Sequence, residues 1–374
     1  DSFPLDVFQT GSGTSTNMNA NEVIANIASK KSRLKINAND DVNMSQSSND
    51  VIPTAICVSA LIDMNRLLLP NLDKLIKSID LKMKQVKGNV KTGRTHLMDA
   101  MPIDFSQELS GWKAQLEANK KTIIQATNRM NELPQGGTAI GTGINAHKDF
   151  SKHFCSELNK LSKFKTKPAK NFYQGLSSVD NAVELSSALK NLSVILMKIS
   201  NDLRWMNSGP LTGLGDIELQ ALQPGSSIMP GKVNPVIPEA VAMACADVIG
   251  NDVTVTLAGQ SGNFQLNVML PVVAYNLLKS INLLGNAMPL LANKAIKTFK
   301  VNSKNINESL SKNPILVTAL NRVIGYSKAA AIAKKAYKEN KSIIDVAHEE
   351  TGISKSELKK LLDPSKLTKG GISE

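Results

Sequence analysis

"DFSQELSGWKAQLEANKKTIIQATNRMNELP", residues 104–134, decides what kind of fold this chain can have. Apolar residues recur at Phe105, Leu109, Trp112, Leu116, Ile123, Ala126, Met130 and Leu133, close to heptad spacing. A helix aligns such a set on one face, because residues three and four apart stack along a 3.6-residue turn. A stripe that long needs partner helices over most of its length.

The pattern returns at Leu185, Ala188, Leu189, Leu192, Ile195, Ile199 and Leu203, and stops at "SGP", where Gly209 and Pro210 supply a helix ending. A third helix is expected from Val51 to about Val86, with Asp50 as its N-cap and Pro53 in its first turn. A fourth should start after Asn234. The fifth, "NVMLPVVAYNLLKSINLLGNAMPLL" (267–291), is apolar on most faces and so should be central, with Pro271 ending or kinking it. Five long helices read as an all-α, elongated bundle. The expected division is 1–50 as an N-terminal region, 51–298 as the bundle, and 299–374 as a small helical C-terminal module. In that module "SKSELKKLL" offers a capping box, Ser354 with Glu357.

Composition narrows the function classes. At 42% hydrophobic and 20% charged residues, the chain is globular rather than disordered. No stretch reaches ~20 uninterrupted apolar residues, so no membrane span is expected. "DSFPLDVFQTG" lacks the basic and apolar regions of a signal peptide. Cys57, Cys155 and Cys245 are scattered without CxxC spacing, which argues against a disulfide framework or a structural zinc and fits a reducing, cytoplasmic setting. The net charge is +12. Nucleic-acid binding would gather that charge on one face with interleaved aromatics, but aromatics are only 4% and the lysines are spread. A small anionic substrate, or a solvated basic surface, suits the charge better.

Two Gly-rich connections interrupt the helices, residues 133–150 and Ser208–Asn234, and the second is long enough to signal a functional loop. Four stretches are dense in hydroxyl and amide side chains: "TGSGTSTNMN" (10–19), "DVNMSQSSND" (41–50), "GRTHLMDA" (93–100) and "GSSIMPGKVNP" (225–235). The first two precede helices, whose exposed N–H groups bind carboxylates well. The last holds a lone lysine between glycines and prolines.

Taken in this order, the four stretches resemble the active-site segments of the fumarase/aspartase superfamily, and within it the class II (iron-independent) fumarases. The resemblance runs from residue 1 into the C-terminal module. It implies a homotetramer whose helical bundle and active sites are shared between subunits, a small dicarboxylate substrate, and reversible hydration of fumarate to malate without metal or cofactor. It also implies a helical segment ahead of "FQTGSGT", absent from this sequence. Such chemistry removes a weakly acidic proton beside a carboxylate, so it needs fixed cations and N–H donors for the resulting aci-carboxylate, and a proton for the departing hydroxide.

By resemblance, Ser226 is the base, and His96 with Glu239 as its carboxylate partner belongs to the acid side, acting through a water. Ser12, Thr14, Ser47, Ser48, Asn49, Thr95, Ser227, Lys232 and Asn234 match substrate-binding positions. His147, His153 and His348 read as surface or structural residues. A second dicarboxylate site, built in many relatives on a basic turn with histidine, is not expected, since "RLKINANDD" has Leu34 and Asn37 at the matching positions. Two alternatives remain at this point. Aspartate ammonia-lyases share the loop, but resemble "GRTQLQD" and "MPAKVNP" where this chain has His96 and Gly231; "GTSTNMN" and "NPVIPE" lean towards them. A catalytically silent member would be expected to have lost Ser226, His96 or Lys232, and all three are present.

Overall fold

The computed structural model describes residues 2–371. Among the described residues, the α-helices of the leading part are α1 (Thr14–Ser32), α2 (Ser48–Asp63), α3 (Leu69–Val86), α4 (Phe105–Arg129), α5 (Phe150–Ser162), α6 (Phe172–Ser177), α7 (Asp180–Met206), α8 (Val236–Gly259) and α9 (Leu270–Leu291). Between α3 and α4 lies an antiparallel hairpin, β1 (Val90–Thr95) and β2 (Met98–Asp104). Helices α10 (Ser303–Lys312), α11 (Asn321–Ile324), α12 (Tyr326–Glu339), α13 (Ile343–Thr351), α14 (Lys355–Leu361) and α15 (Pro364–Leu367) follow.

The stripes read from the sequence are buried. All eight positions from Phe105 to Leu133 are in the core, and so are all seven from Leu185 to Leu203. Two helices, Ser48–Val86 and Val236–Gly259, are nonetheless long and apolar enough by composition to cross a membrane, which the search for an unbroken apolar run does not anticipate. Helix α8 packs against α7. Its Asp252 is buried and takes hydrogen bonds from Ser186 Oγ (2.8 Å) and Lys190 Nζ (2.7 Å) of α7.

Two helix starts differ from expectation. The third helix starts at Ser48, and its N-cap is Ser47 rather than Asp50. Ser47 Oγ accepts from the Asn49 N–H while the Asp50 carboxylate reaches back to the Ser47 N–H (3.0 Å), a capping box in which the longer side chain belongs at the third helical position. Pro53 therefore lies in the second turn. The chain then runs from α2 to α3 through a π-helical turn, Met64–Leu68. Pro271 neither ends nor kinks the fifth helix; it is the second residue of α9, where no intrahelical donor is needed. The proline inside that helix is Pro289, which leaves the Gly285 carbonyl without its helical donor. The buried Asn71 side chain donates to that carbonyl instead (2.8 Å). In the C-terminal module, Ser354 accepts from the Glu357 N–H (3.2 Å), the Ser354 half of the expected box.

Contacts group the chain into two compact units. The first is residues 1–74, 116–197 and 240–289, and the second is residues 75–115, 198–239 and 290–374. In the second unit, Leu310, Leu320, Ile332, Val346 and Leu358 of the C-terminal module form a core cluster.

Candidate active site

The first unit carries five of the predicted site residues, at the starts of two helices. Gly13, with φ 97°, is the N-cap of α1, and a Cβ there would lie 2.6 Å from the Ile52 side chain, so only glycine lets α1 begin this close to α2. Ser12 before it is also left-handed, with φ 59°. This approach puts Thr14 Oγ1 2.9 Å from Ser48 Oγ. Ser47 caps α2, and Asn49 Nδ2 donates to the Ala139 carbonyl (2.7 Å). Two helix N-termini with hydroxyls on their rims are chemically suited to hold a carboxylate.

Asp50 ties down the start of α2. Its fully buried carboxylate accepts from the N–H groups of Gly136 and Thr138, both at 2.9 Å, besides that of Ser47. Burial pushes its carboxyl above the ordinary value, and the N–H donors pull it back part of the way. The Gly-rich connection at 133–150 is thus tied to the start of α2.

In the second unit, "GRTHLMDA" is the end of a β-hairpin. Thr95 pairs with Met98, and the two residues between them, His96 (φ 56°) and Leu97 (φ 60°), both have positive φ, as a tight primed turn requires. Neither is glycine, so the tip stores strain of the kind that collects at functional sites. His96 and Thr95 are exposed. A Cβ on Gly93 would sit 2.6 Å from the Met101 carbonyl oxygen, which makes glycine obligatory in the stem.

The stretch 225–235 is a loop closed on itself. The Gly225 N–H donates to the Lys232 carbonyl (2.8 Å), and Asn234 Nδ2 donates to the Gly225 carbonyl (3.0 Å). Within it, Ser226 Oγ accepts from the N–H groups of Ile228 (3.2 Å) and Met229 (3.0 Å). Two fixed N–H donors on one hydroxyl oxygen favour its oxyanion. Ser226 is half-buried; Ser227 and Lys232 are exposed. Glu239 sits in the first turn of α8. Among the described residues, His96 and Glu239 share no hydrogen bond or ion pair. His147, His153 and His348 are exposed, as expected. Asn37 is occupied as a cap, its Oδ1 accepting from the N–H groups of Asn39 and Asp40.

Sequence reasoning missed the residues that hold these segments. Asp50 was legible as a helix cap, but not as the anchor of a loop 86 positions away. Arg94 belongs to Asp216 and Asn313 to the hairpin stem, pairings over 122 and 221 positions without a local signal. A cavity in the first unit, beside Cys57, Arg129, Asn171 and Asn181, contains none of the predicted residues. Burial pushes the Cys57 thiol up to about 12, which removes it as a nucleophile near neutral pH.

Known proteins match nearly the whole chain. A lyase family profile matches residues 1–250, and a profile for the fumarase C C-terminus matches residues 316–369. A fumarate hydratase class II 2 of Pseudomonas aeruginosa is 59% identical over 99% of this chain and 81% of its own length. A fumarate hydratase class II of Bacillus subtilis is 45% identical over 99% of this chain and 81% of its own. The chain belongs to the class II fumarase family. The fold agrees: the crystal structure of a recombinant class II fumarase from Schistosoma mansoni superposes with a TM-score of 0.93 at 37% identity, over 98% of this chain and 81% of that one. The all-α bundle expected from the five long helices agrees with the class II fumarase fold.

Proposed function

We propose that the chain interconverts fumarate and (S)-malate by acid–base elimination and addition through an aci-carboxylate. It is a hydro-lyase, a class II fumarate hydratase. The reading as an aspartate ammonia-lyase gives way to the fumarate hydratases that match at 45–59% identity.

The observation that supports the chemistry best is at Ser226. Its Oγ accepts two backbone N–H bonds, so the alkoxide needed for a base is stabilised before substrate arrives. From malate, that oxygen takes the C3 proton, and the electron pair moves into the neighbouring carboxylate. Lys232 faces the added negative charge. The C2–O bond then breaks, and the hydroxide leaves as water with a proton delivered from the His96 side. Addition of water to fumarate retraces these steps. Thr95, Ser227 and Asn234 complete the binding of the dicarboxylate, while Ser12, Thr14, Ser47, Ser48 and Asn49 offer the seat at the helix starts. Glu239 keeps the acid side charged from a neighbouring subunit, in a homotetramer with shared sites. No step calls on a metal or a cofactor. We place the enzyme in the cytoplasm, with residues 1–50, 51–298 and 299–374 as its domains.

The test is turnover of malate, followed by the ultraviolet absorbance of fumarate. Ser226→Ala and His96→Asn should each lower it by at least ~10²-fold, the usual effect of losing a positioned acid–base group. Near-native turnover in Ser226→Ala would overturn the base assignment. Ammonia release from aspartate with no hydration of fumarate would overturn the reaction.

A further inference from the structure

We propose that Asp216 is a positioning residue for this reaction, fixing through Arg94 and Lys91 the hairpin tip that carries Thr95 and His96. The proposal rests on the reading of His96 as part of the acid side. Asp216 is 2% exposed, and its carboxylate takes the Arg94 guanidinium in two bonds, from Nη1 (2.6 Å) and Nη2 (3.1 Å). Lys91 Nζ donates to the same carboxylate (3.1 Å) and also meets Glu108 (2.8 Å), so two cations face two carboxylates in a largely buried cluster. The backbone of Asp216 is fixed as well. Its carbonyl accepts from the Asn302 N–H (2.9 Å), and the next two residues, Ile217 and Glu218, pair with Val301 and Lys300.

This anchor meets a specific need. A lone two-stranded hairpin is marginal in water, and this one has a register irregularity between Thr92 and Arg94 and two non-glycine residues at positive φ in its turn. Left to itself the tip would relax, and His96 would move with it. Arg94 stands two residues before His96, and a two-bond guanidinium–carboxylate pair fixes direction as well as distance. A second grip lies lower on the stem, where Asn313 Nδ2 donates to Thr92 Oγ1 (3.3 Å) and to the Ala100 carbonyl (2.9 Å). The geometry also removes an obvious misreading. Arg94 lies in a site segment of an enzyme for dianions, yet its guanidinium is turned to Asp216 and is not a substrate cation.

The experiment compares steady-state malate kinetics of the wild-type enzyme, Asp216→Asn, Arg94→Gln, His96→Asn and the double variants. Asp216→Asn and Arg94→Gln should each lower kcat about 10- to 100-fold, the scale for a catalytic group displaced by about 1 Å, with KM changing by less. Because Asp216 acts through His96, the Asp216→Asn/His96→Asn double should be no slower than His96→Asn alone. A merely structural role would lower the yield of assembled enzyme but leave kcat per site unchanged, and that result would overturn the proposal. So would multiplicative losses in the double variant. Should Asp216→Asn fail to assemble, Arg94→Gln, which keeps the Asp216–Lys91 pair, decides by the same criteria. Wild-type turnover in His96→Asn would instead strike down the underlying reading, and this proposal with it.

Discussion

Gly225 closes the loop that carries Ser226 and Lys232, and replacing it with alanine tests whether loop closure matters to turnover. A Cβ at this position would lie 2.6 Å from the Lys232 carbonyl oxygen, 2.9 Å from the Asn234 nitrogen and 2.9 Å from Asn234 Oδ1. Two of these are backbone atoms that no side-chain rotation can clear. The Lys232 carbonyl must retreat by about 0.8 Å to reach ordinary contact at 3.4 Å, which strains both hydrogen bonds across the neck. At roughly 1 kcal/mol net for each, closure weakens by about 2 kcal/mol. That is a factor of roughly thirty in the ratio of closed to open loop, and kcat/KM should fall by up to that factor. The loop is mostly exposed, so the melting temperature should shift little. Gly231→Ala is the comparison. Gly231 has φ 81°, but a Cβ there would meet no atom within 4 Å, so the substitution carries only conformational strain of about 1 kcal/mol, about fivefold in rate. Both variants are measured by fumarate absorbance alongside a thermal melt. The reasoning fails if Gly225→Ala keeps kcat/KM within about threefold of wild type, or if Gly231→Ala is the more damaging.

Two further outcomes are expected. Burial raises the Asp50 carboxyl in the folded state, so the folded chain keeps that proton to higher pH than the unfolded chain does. Its contribution to stability is therefore largest below an ordinary carboxylate value of about 4 and declines as pH rises through the raised folded value; denaturant unfolding of wild type and Asp50→Asn should show a difference that falls with pH, and a rising one refutes it. For the shared site, Ser226→Ala and His96→Asn subunits, dissociated, mixed and reassembled, should regain activity in roughly a quarter of sites. Hybrids confirmed by mass spectrometry that regain none would place both residues in one chain.

The helical core was legible because its signal is local. A stripe such as Phe105–Leu133 repeats every turn, and a helix buries the same face it displays in sequence. Helix ends were less legible, since Ser47 and Asp50 divide the capping between them and Pro271 reads alike as a start or a break. The site's segments could be named from their hydroxyl, amide and lysine content, yet their supports could not. Nothing near Arg94 announces Asp216, 122 residues on, and a turn of His96 and Leu97 lacks the Asn-Gly or Asp-Gly that marks a primed hairpin. Strain at functional positions is where sequence rules are expected to fail.

The two elements of the second unit that carry the proposed base and acid are secured in different ways. The loop of Ser226 is held across its neck by two hydrogen bonds, and Ile228, Met229 and Val233 within it are exposed. The hairpin of His96 is held by a buried carboxylate with two cations and by the side chain of the buried Asn313. Elements with few buried contacts open at low free energy, and elements tied into a core do not. The loop is thus the more easily opened of the two elements, and the hairpin the more rigid. A base on the more easily opened element suits the proposed chemistry. Its oxyanion is stabilised by N–H groups of the loop itself, so the stabilising donors travel with Ser226 and need no rebuilding at each closure.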